Sequence, residues 1–113
     1  MNVLPARVEG AVAHLDAGTV PLAQGYGHLA GTVEIGVRPE FVRLSAAEGL
    51  PVVIRRVEDV GRHRIVRADL GGRPLNVVVG EGEALSPDMT RVVFDPAHVG
   101  VFANGWRVED PLR

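Results

Sequence analysis

A chain of 113 residues, 46% hydrophobic and 23% charged, is long enough for one domain that buries about two thirds of its unfolded surface. Its formal net charge of -2 supplies no electrostatic pull towards nucleic acid or an anionic membrane. The absence of cysteine excludes disulfides, thiolate metal sites and cysteine nucleophiles, and because all 12 Lys+Arg residues are arginine there is no phosphate-loop, Schiff-base or carrier lysine.

Residues 1–7 lack the apolar segment of a signal peptide, and no apolar run approaches the roughly 20 residues that span a bilayer. The expectation is a cytoplasmic chain without direct membrane insertion. The 14 glycines and 8 prolines are spread evenly, and valine dominates between them, a pattern that favours strands over helices. Strands are expected over residues 6–14, 19–23 and 31–37, the last running into Ile35-Gly36-Val37-Arg38-Pro39-Glu40-Phe41. Proline fixes φ, lacks a backbone donor and pushes Arg38 towards extended geometry, so a regular strand cannot continue through the segment. Arg38 and Glu40 therefore flank a bend. Their spacing suits either an internal ion pair on one face of an extended chain or contact with a second protein surface.

Beyond the bend, strands are expected over residues 41–44, 52–60 and 90–94, one helical turn over 45–49, and a loop over 80–87. The clearest local unit lies between 64 and 79, where Val66, Ala68 and Leu70 alternate with Arg67 and Asp69, then Gly71-Gly72 leads to Leu75, Val77 and Val79. Two glycines between period-two runs predict a hairpin, because both loop residues can adopt positive φ. A second hairpin is expected over 99–103, Asn104-Gly105 and 106–109, with Asn-Gly as the type I′ loop. Short strands separated by turns predict a single all-β domain over residues 1–113, a small OB-like barrel or sandwich with at most a short helical turn.

Side-chain chemistry is sparse. His14, His28, His63 and His98 show no metal-ligand spacing, and Glu58-Asp59 are strand neighbours that point to opposite faces, best read as a solvated turn. Glu81 and Glu83 alternate with glycines in a flexible loop but offer too few oxygens for calcium or magnesium. Ser45 and Ser86, the only serines, lie outside any nucleophile-elbow pattern. Tyr26, Phe41, Phe94, Phe102 and Trp106 are scattered, and the basic region Arg55, Arg56, Arg62, Arg64 and Arg67 is interrupted by Glu58, Asp59 and Asp69. That distribution reads as a solvated sheet face rather than a nucleic-acid groove.

Taken in order, Met1-Asn2-Val3-Leu4-Pro5, then Ile35-Gly36-Val37-Arg38-Pro39-Glu40, then Val57-Glu58-Asp59-Val60-Gly61, then Phe94-Asp95-Pro96-Ala97-His98-Val99-Gly100-Val101-Phe102 followed by Asn104-Gly105, form a distinctive series. The series resembles the transport-associated OB (TOBE) domain at the C-terminal end of ATP-binding subunits of ABC importers, of the maltose, glycerol-phosphate and sugar-uptake type. The likeness runs from Met1 to about Val108, and departs from the common pattern at Phe41 and at the Asn104-Gly105 turn. The resemblance implies an OB-like, MOP-like fold and a regulatory, dimer-stabilising domain with no catalytic, cofactor-binding or metal-binding residue of its own. ATP and Mg would belong to the ATPase domain of the full subunit. The implied partners are a second copy of the ATPase subunit, the importer's membrane subunits and a regulatory protein, at the inner face of the cell membrane. Gly36, Arg38, Pro39, Glu40, Phe102, Asn104 and Gly105 would form the interface or regulatory surface, with Arg38 and Glu40 able to meet opposite charges across a two-fold axis. The alternatives are a small-oxyanion domain of the molybdate-binding kind, disfavoured by few hydroxyls and no lysine, and a nucleic-acid-binding OB barrel.

Overall fold

Period-two runs of valine and other strand formers, cut every few residues by glycine or proline, fold as short antiparallel strands and two 3₁₀ turns. The computed structural model describes residues 1–26, 29 and 33–108. His28, the start of the expected 31–37 strand and the Glu109 end of the expected second hairpin lie outside the described residues. In chain order the strands are β1 (Asn2–Pro5), β2 (Arg7–Glu9), β3 (Val12–Leu15), β4 (Gly18–Pro21), β5 (Val33–Val37), β6 (Val42–Ser45), β7 (Leu50–Pro51), β8 (Val53–Asp59), β9 (His63–Leu70), β10 (Arg73–Gly80), β11 (Arg91–Phe94), β12 (Gly100–Ala103) and β13 (Trp106–Val108). The 3₁₀ turns are Pro39–Phe41 and Pro96–His98. Four small sheets result, in the orders β1-β5-β12-β13, β10-β9-β8, β6-β11-β7 and β2-β3-β4. The architecture is all-β and OB-like, as expected.

Both predicted hairpins form. Gly71 and Gly72 take φ 57 and 80 between β9 and β10, and Asn104 and Gly105 take φ 54 and 84 between β12 and β13. Val66, Ala68 and Leu70 on one strand and Leu75, Val77 and Val79 on the other are buried, so the alternation read from sequence is the core face. They join Val8, Ile35, Val37, Val92 and Val101 in one continuous apolar cluster shared by all four sheets.

Other expectations needed correction. The strand expected over 6–14 is a hairpin, β2 to β3, because Gly10 at φ 58 opens a two-residue turn with Ala11. A glycine in the first turn position is the type II′ pattern, whose twist matches that of the flanking strands. The strand expected over 52–60 forms as β8; just before it a short strand that was not foreseen, Leu50 and Pro51, pairs with β11, and the Val52 N–H donates to Thr90 O at 2.9 Å. No helical turn forms over 45–49. The Ser45 hydroxyl accepts from the N–H groups of Ala47 at 3.2 Å and Glu48 at 3.1 Å, and Gly49 at φ 97 turns the chain away. A serine side chain bonded to nearby N–H groups offers the backbone an alternative to the helix. Glu58 and Asp59 belong to β8 rather than to a turn, although the Asp59 carboxylate does accept from Gly61 N–H at 2.9 Å. Strand β1, not foreseen, pairs antiparallel with β5.

β8 is an edge strand, with a register shift between Ile54 and Arg56 and a dense ring of charge. Arg55 bonds Asp69 at 2.6 Å, while Glu58 accepts from Arg56 and Arg67, each at 2.7 Å. A bulge and paired charges are a common defence of an unpaired edge. The Arg67 hydrogen bond holds the Glu58 carboxyl below the usual glutamate range, against a smaller desolvation effect and with further help from the charges of Arg67 and Arg56. Because the folded value is depressed, this stabilisation is complete above the unfolded glutamate value of about 4.3 and is lost as pH falls through the folded one. Melting temperature should therefore hold steady above about pH 5 and drop below it, and the drop should be shallower in Glu58→Gln. Circular-dichroism melts across this range test the assignment, which fails if the variant and the parent fall in parallel.

Candidate functional site

On the outer face of the β1-β5-β12-β13 sheet, Gly36 lies opposite Gly100 across the β5–β12 ladder, so two neighbouring strands present bare backbone. Phe102, one step further along that face of β12, folds back over this floor. A Cβ at Gly36 would lie 2.9 Å from Phe102 Cε1 and 2.8 Å from Met1 Sδ, and a Cβ at Gly100 would lie 3.3 Å from Phe102 Cε1 and 3.6 Å from Arg107 Cζ. The glycines are thus the space in which an aromatic ring, a thioether and a guanidinium converge.

The wall comes from the two 3₁₀ turns. Pro39 opens the first of them after Arg38, which caps it with φ -73 and ψ 147, and the Phe41 N–H bonds back to Arg38 O at 2.9 Å. Proline suits the first helical position because its missing N–H is one that the turn leaves unpaired in any case. Asp95 caps the second turn by accepting from Ala97 N–H at 3.1 Å. Asp95 N–H donates to Phe41 O at 3.0 Å and ties the turns together, leaving the Phe41 and His98 rings stacked at 3.6 Å and 6°. His98 Nδ1 is 2.9 Å from Asp95 Oδ2. That hydrogen bond, seconded by Ala97 N–H, holds the Asp95 carboxyl below the usual aspartate range.

Floor and wall enclose an open cleft of about 350 Å³ lined by Met1, Gly36, Arg38, Phe41, Ala97, His98, Gly100, Phe102 and Arg107. Arg38 and Arg107 are exposed, and among the described residues neither is held by an ion pair or hydrogen bond. Most arginines elsewhere among the described residues are occupied, Arg7 and Arg43 by Glu9 and Glu48, Arg64 and Arg91 by the carbonyls of Glu83 and Gly49, whereas the exposed Arg62 and Arg73 are not.

Of the residues singled out from sequence, Gly36, Arg38 and Phe102 meet in this cleft. Glu40 does not join them; it lines a separate cleft of about 290 Å³ that also contains Arg43, Glu83 and Asp95. The internal Arg38–Glu40 ion pair is absent, because the 3₁₀ turn replaces the extended chain on which the two side chains would have shared a face. Pro39 is half-buried, and Asn104-Gly105 form the exposed tip of the β12–β13 hairpin. Arg107, Gly100 and the Phe41–His98 stack escaped the sequence reading. Alternation along residues 100–102 was a usable signal for Gly100, and the hairpin register that sets Arg107 opposite Phe102 was one for Arg107. Nothing local signalled the stack, which joins two turns far apart in the chain.

Residues 35–102 match the TOBE domain family, and the chain belongs to it. The matched span starts on β5 and ends at Phe102, so it contains the glycine floor, both 3₁₀ turns and Arg38. Among similar proteins, the sn-glycerol-3-phosphate import ATP-binding protein UgpC 2 of Agrobacterium fabrum is 35% identical over 82 residues, 68% of this chain. The sn-glycerol-3-phosphate import ATP-binding protein UgpC of Jannaschia sp. is 26% identical over 103 residues, 90% of this chain. The matched stretches are 22% and 29% of those two proteins, so this chain spans well under half of either.

Proposed function

We infer that this chain acts as a non-catalytic regulatory and dimer-stabilising domain of the ATP-binding subunit of an ABC importer for a sugar or related small solute. Residues 1–113 would work as one such domain at the inner face of the membrane. ATP and Mg belong to the ATPase portion of such a subunit, and the importer's membrane subunits and a regulatory protein are its further partners. Membership of the TOBE family supports the reading, as does the similarity to two sn-glycerol-3-phosphate import ATP-binding proteins. The observation that carries the interface role is the bend itself: Arg38 and Glu40 are both exposed, line different clefts and leave each other unpaired. Across a two-fold axis each would meet the opposite charge on a second copy, the self-complementarity that an isologous interface requires. Pro39 sets their divergence, and Phe102 with Asn104-Gly105 extends the same surface.

Sedimentation equilibrium tests this directly. Arg38→Glu and Glu40→Arg should each weaken self-association at least about tenfold, and the charge-swapped double variant should recover it. Association unchanged by Arg38→Glu, with Gly36→Ala and Pro39→Ala lowering only the melting temperature, would make the bend a purely structural device.

A further inference from the structure

The cleft above the glycine floor shares Gly36, Arg38 and Phe102 with the surface assigned to self-association, and adds to them Arg107, His98 and Gly100, which that surface does not use. Among the described residues its lining contains two guanidinium groups, Arg38 and Arg107, and no carboxylate or hydroxyl side chain. Most other arginines have found a carboxylate or carbonyl, whereas these two line one cavity with no neutralising partner among the described residues. Arg107 is brought in by the β12–β13 register, its Cζ reaching the space over Gly100, and Arg38 lines the same cleft from the exit of β5. Two planar forks of N–H donors match a tetrahedral or carboxylate oxyanion, and two unpaired positive charges call for a dianion. The remainder of the lining is mostly apolar and flat: the Phe102 ring, Met1, Ala97 and the Phe41–His98 stack, whose imidazole is held by Asp95. The floor's own backbone groups lie within the β5–β12 ladder, so a bare inorganic oxyanion would draw chiefly on the arginines and would leave the aromatic surfaces unused. A cavity of about 350 Å³ is also larger than such an ion needs, and falls in the range of small organic ligands.

We propose that this cleft is a binding site for a small organic phosphate, its dianionic head held between Arg38 and Arg107 and its carbon portion lying on Phe102 over the Gly36–Gly100 floor. The proposal goes beyond the importer reading and does not rest on it: Arg107 and His98 lie outside the surface assigned to self-association, so variants of Arg107 test the cleft alone.

The probes are phenyl phosphate, inorganic phosphate as the head alone and phenol as the ring alone, each titrated calorimetrically into the 113-residue chain. Phenyl phosphate should bind at least about tenfold more tightly than either fragment. Arg107→Gln and Arg38→Gln should each weaken it about tenfold or more, while Arg73→Gln, at an exposed hairpin position without a partner among the described residues, should leave it unchanged. Phe102→Ala should abolish the preference for phenyl phosphate over inorganic phosphate. Since Arg38 and Arg107 are exposed, melting curves of their variants should overlay the parent's and separate lost binding from lost folding. No heat of binding up to about 10 mM phenyl phosphate, equal affinity for inorganic phosphate, or binding indifferent to Arg107→Gln would each overturn the assignment. Loss of binding in Arg107→Gln with association unchanged would establish the cleft whatever the fate of the interface.

Discussion

Gly49→Ala should be among the most damaging single substitutions in this chain, lowering stability by about 4 kcal/mol or more and leaving little folded protein at ambient temperature. Gly49 sits at φ 97, and a Cβ there would lie 2.1 Å from Val92 O, 2.7 Å from Val92 C and 2.9 Å from Val93 Cγ2. The first two are backbone atoms of the central strand of the β6-β11-β7 sheet, so no rotamer change relieves the clash. Retreat of either chain is resisted from both sides. Leu50 is in register with Val92, and the Gly49 carbonyl accepts from Arg91 Nη1 at 2.8 Å. Gly82→Ala is the internal control, because Gly82 has a similar φ of 85 but nothing within 4 Å of a built Cβ. It should show backbone strain alone, about 1–2 kcal/mol. Thermal unfolding by circular dichroism should place the Gly49 variant at least about 10 °C below the Gly82 variant. Equal losses would mean that the close approach to Val92 is not what requires glycine.

Asn2→Ala should cost about 2–5 kcal/mol, a large effect for the second residue of a chain. The Asn2 side chain is 96% removed from solvent by its position, being only 4% exposed, and its amide does the work of a missing strand. Nδ2 donates to Asn76 O at 2.8 Å and Oδ1 accepts from Asn76 N–H at 2.9 Å. In an antiparallel ladder the N–H and C=O of one residue point to the same side, so those of Asn76 face away from β9 and towards β1. Truncation would leave a partly buried donor and acceptor both unmet. Asn2→Asp should be no rescue, because a carboxylate oxygen would face the Asn76 carbonyl. The damage should also be local enough to see: the Asn76 amide should exchange with solvent much faster than its β10 neighbours Val77 and Val79. Unchanged Asn76 exchange in Asn2→Ala would show that the side-chain bridge contributes nothing to holding β1 against β10. Because β1 carries Met1 to the edge of the glycine floor, the same variant should loosen one side of the cleft.

Local chemistry made much of this fold legible. Gly71-Gly72 and Asn104-Gly105 each specify a two-residue loop and therefore a register, and with the register comes the face on which Val66, Leu75 and Val101 are buried. The misreadings share a cause. Residues 6–14 are a continuous run of strand formers, and propensity does not say where such a run changes partners. Gly10 breaks that run by a turn, and the short strand at Leu50 and Pro51 owes its place to β11, a partner distant in the chain. Residues 45–49 have helix-forming alanines, but one serine hydroxyl and one positive-φ glycine outweigh them over so short a span.

The sequence by itself determined an all-β class, the two glycine-turn hairpins, the exclusion of lysine and cysteine chemistry and, through the ordered series from Met1 to Asn104-Gly105, the TOBE family. Each depends on residue identity or on contacts within a few positions. Tertiary structure alone decided that Arg38 and Glu40 part company, that Gly36 meets Gly100 and that Phe41 stacks on His98. All but the first join segments distant in the chain. The first was decided by Pro39, which began a 3₁₀ turn where an extended bend was expected, a choice between two conformations that proline's fixed φ permits equally.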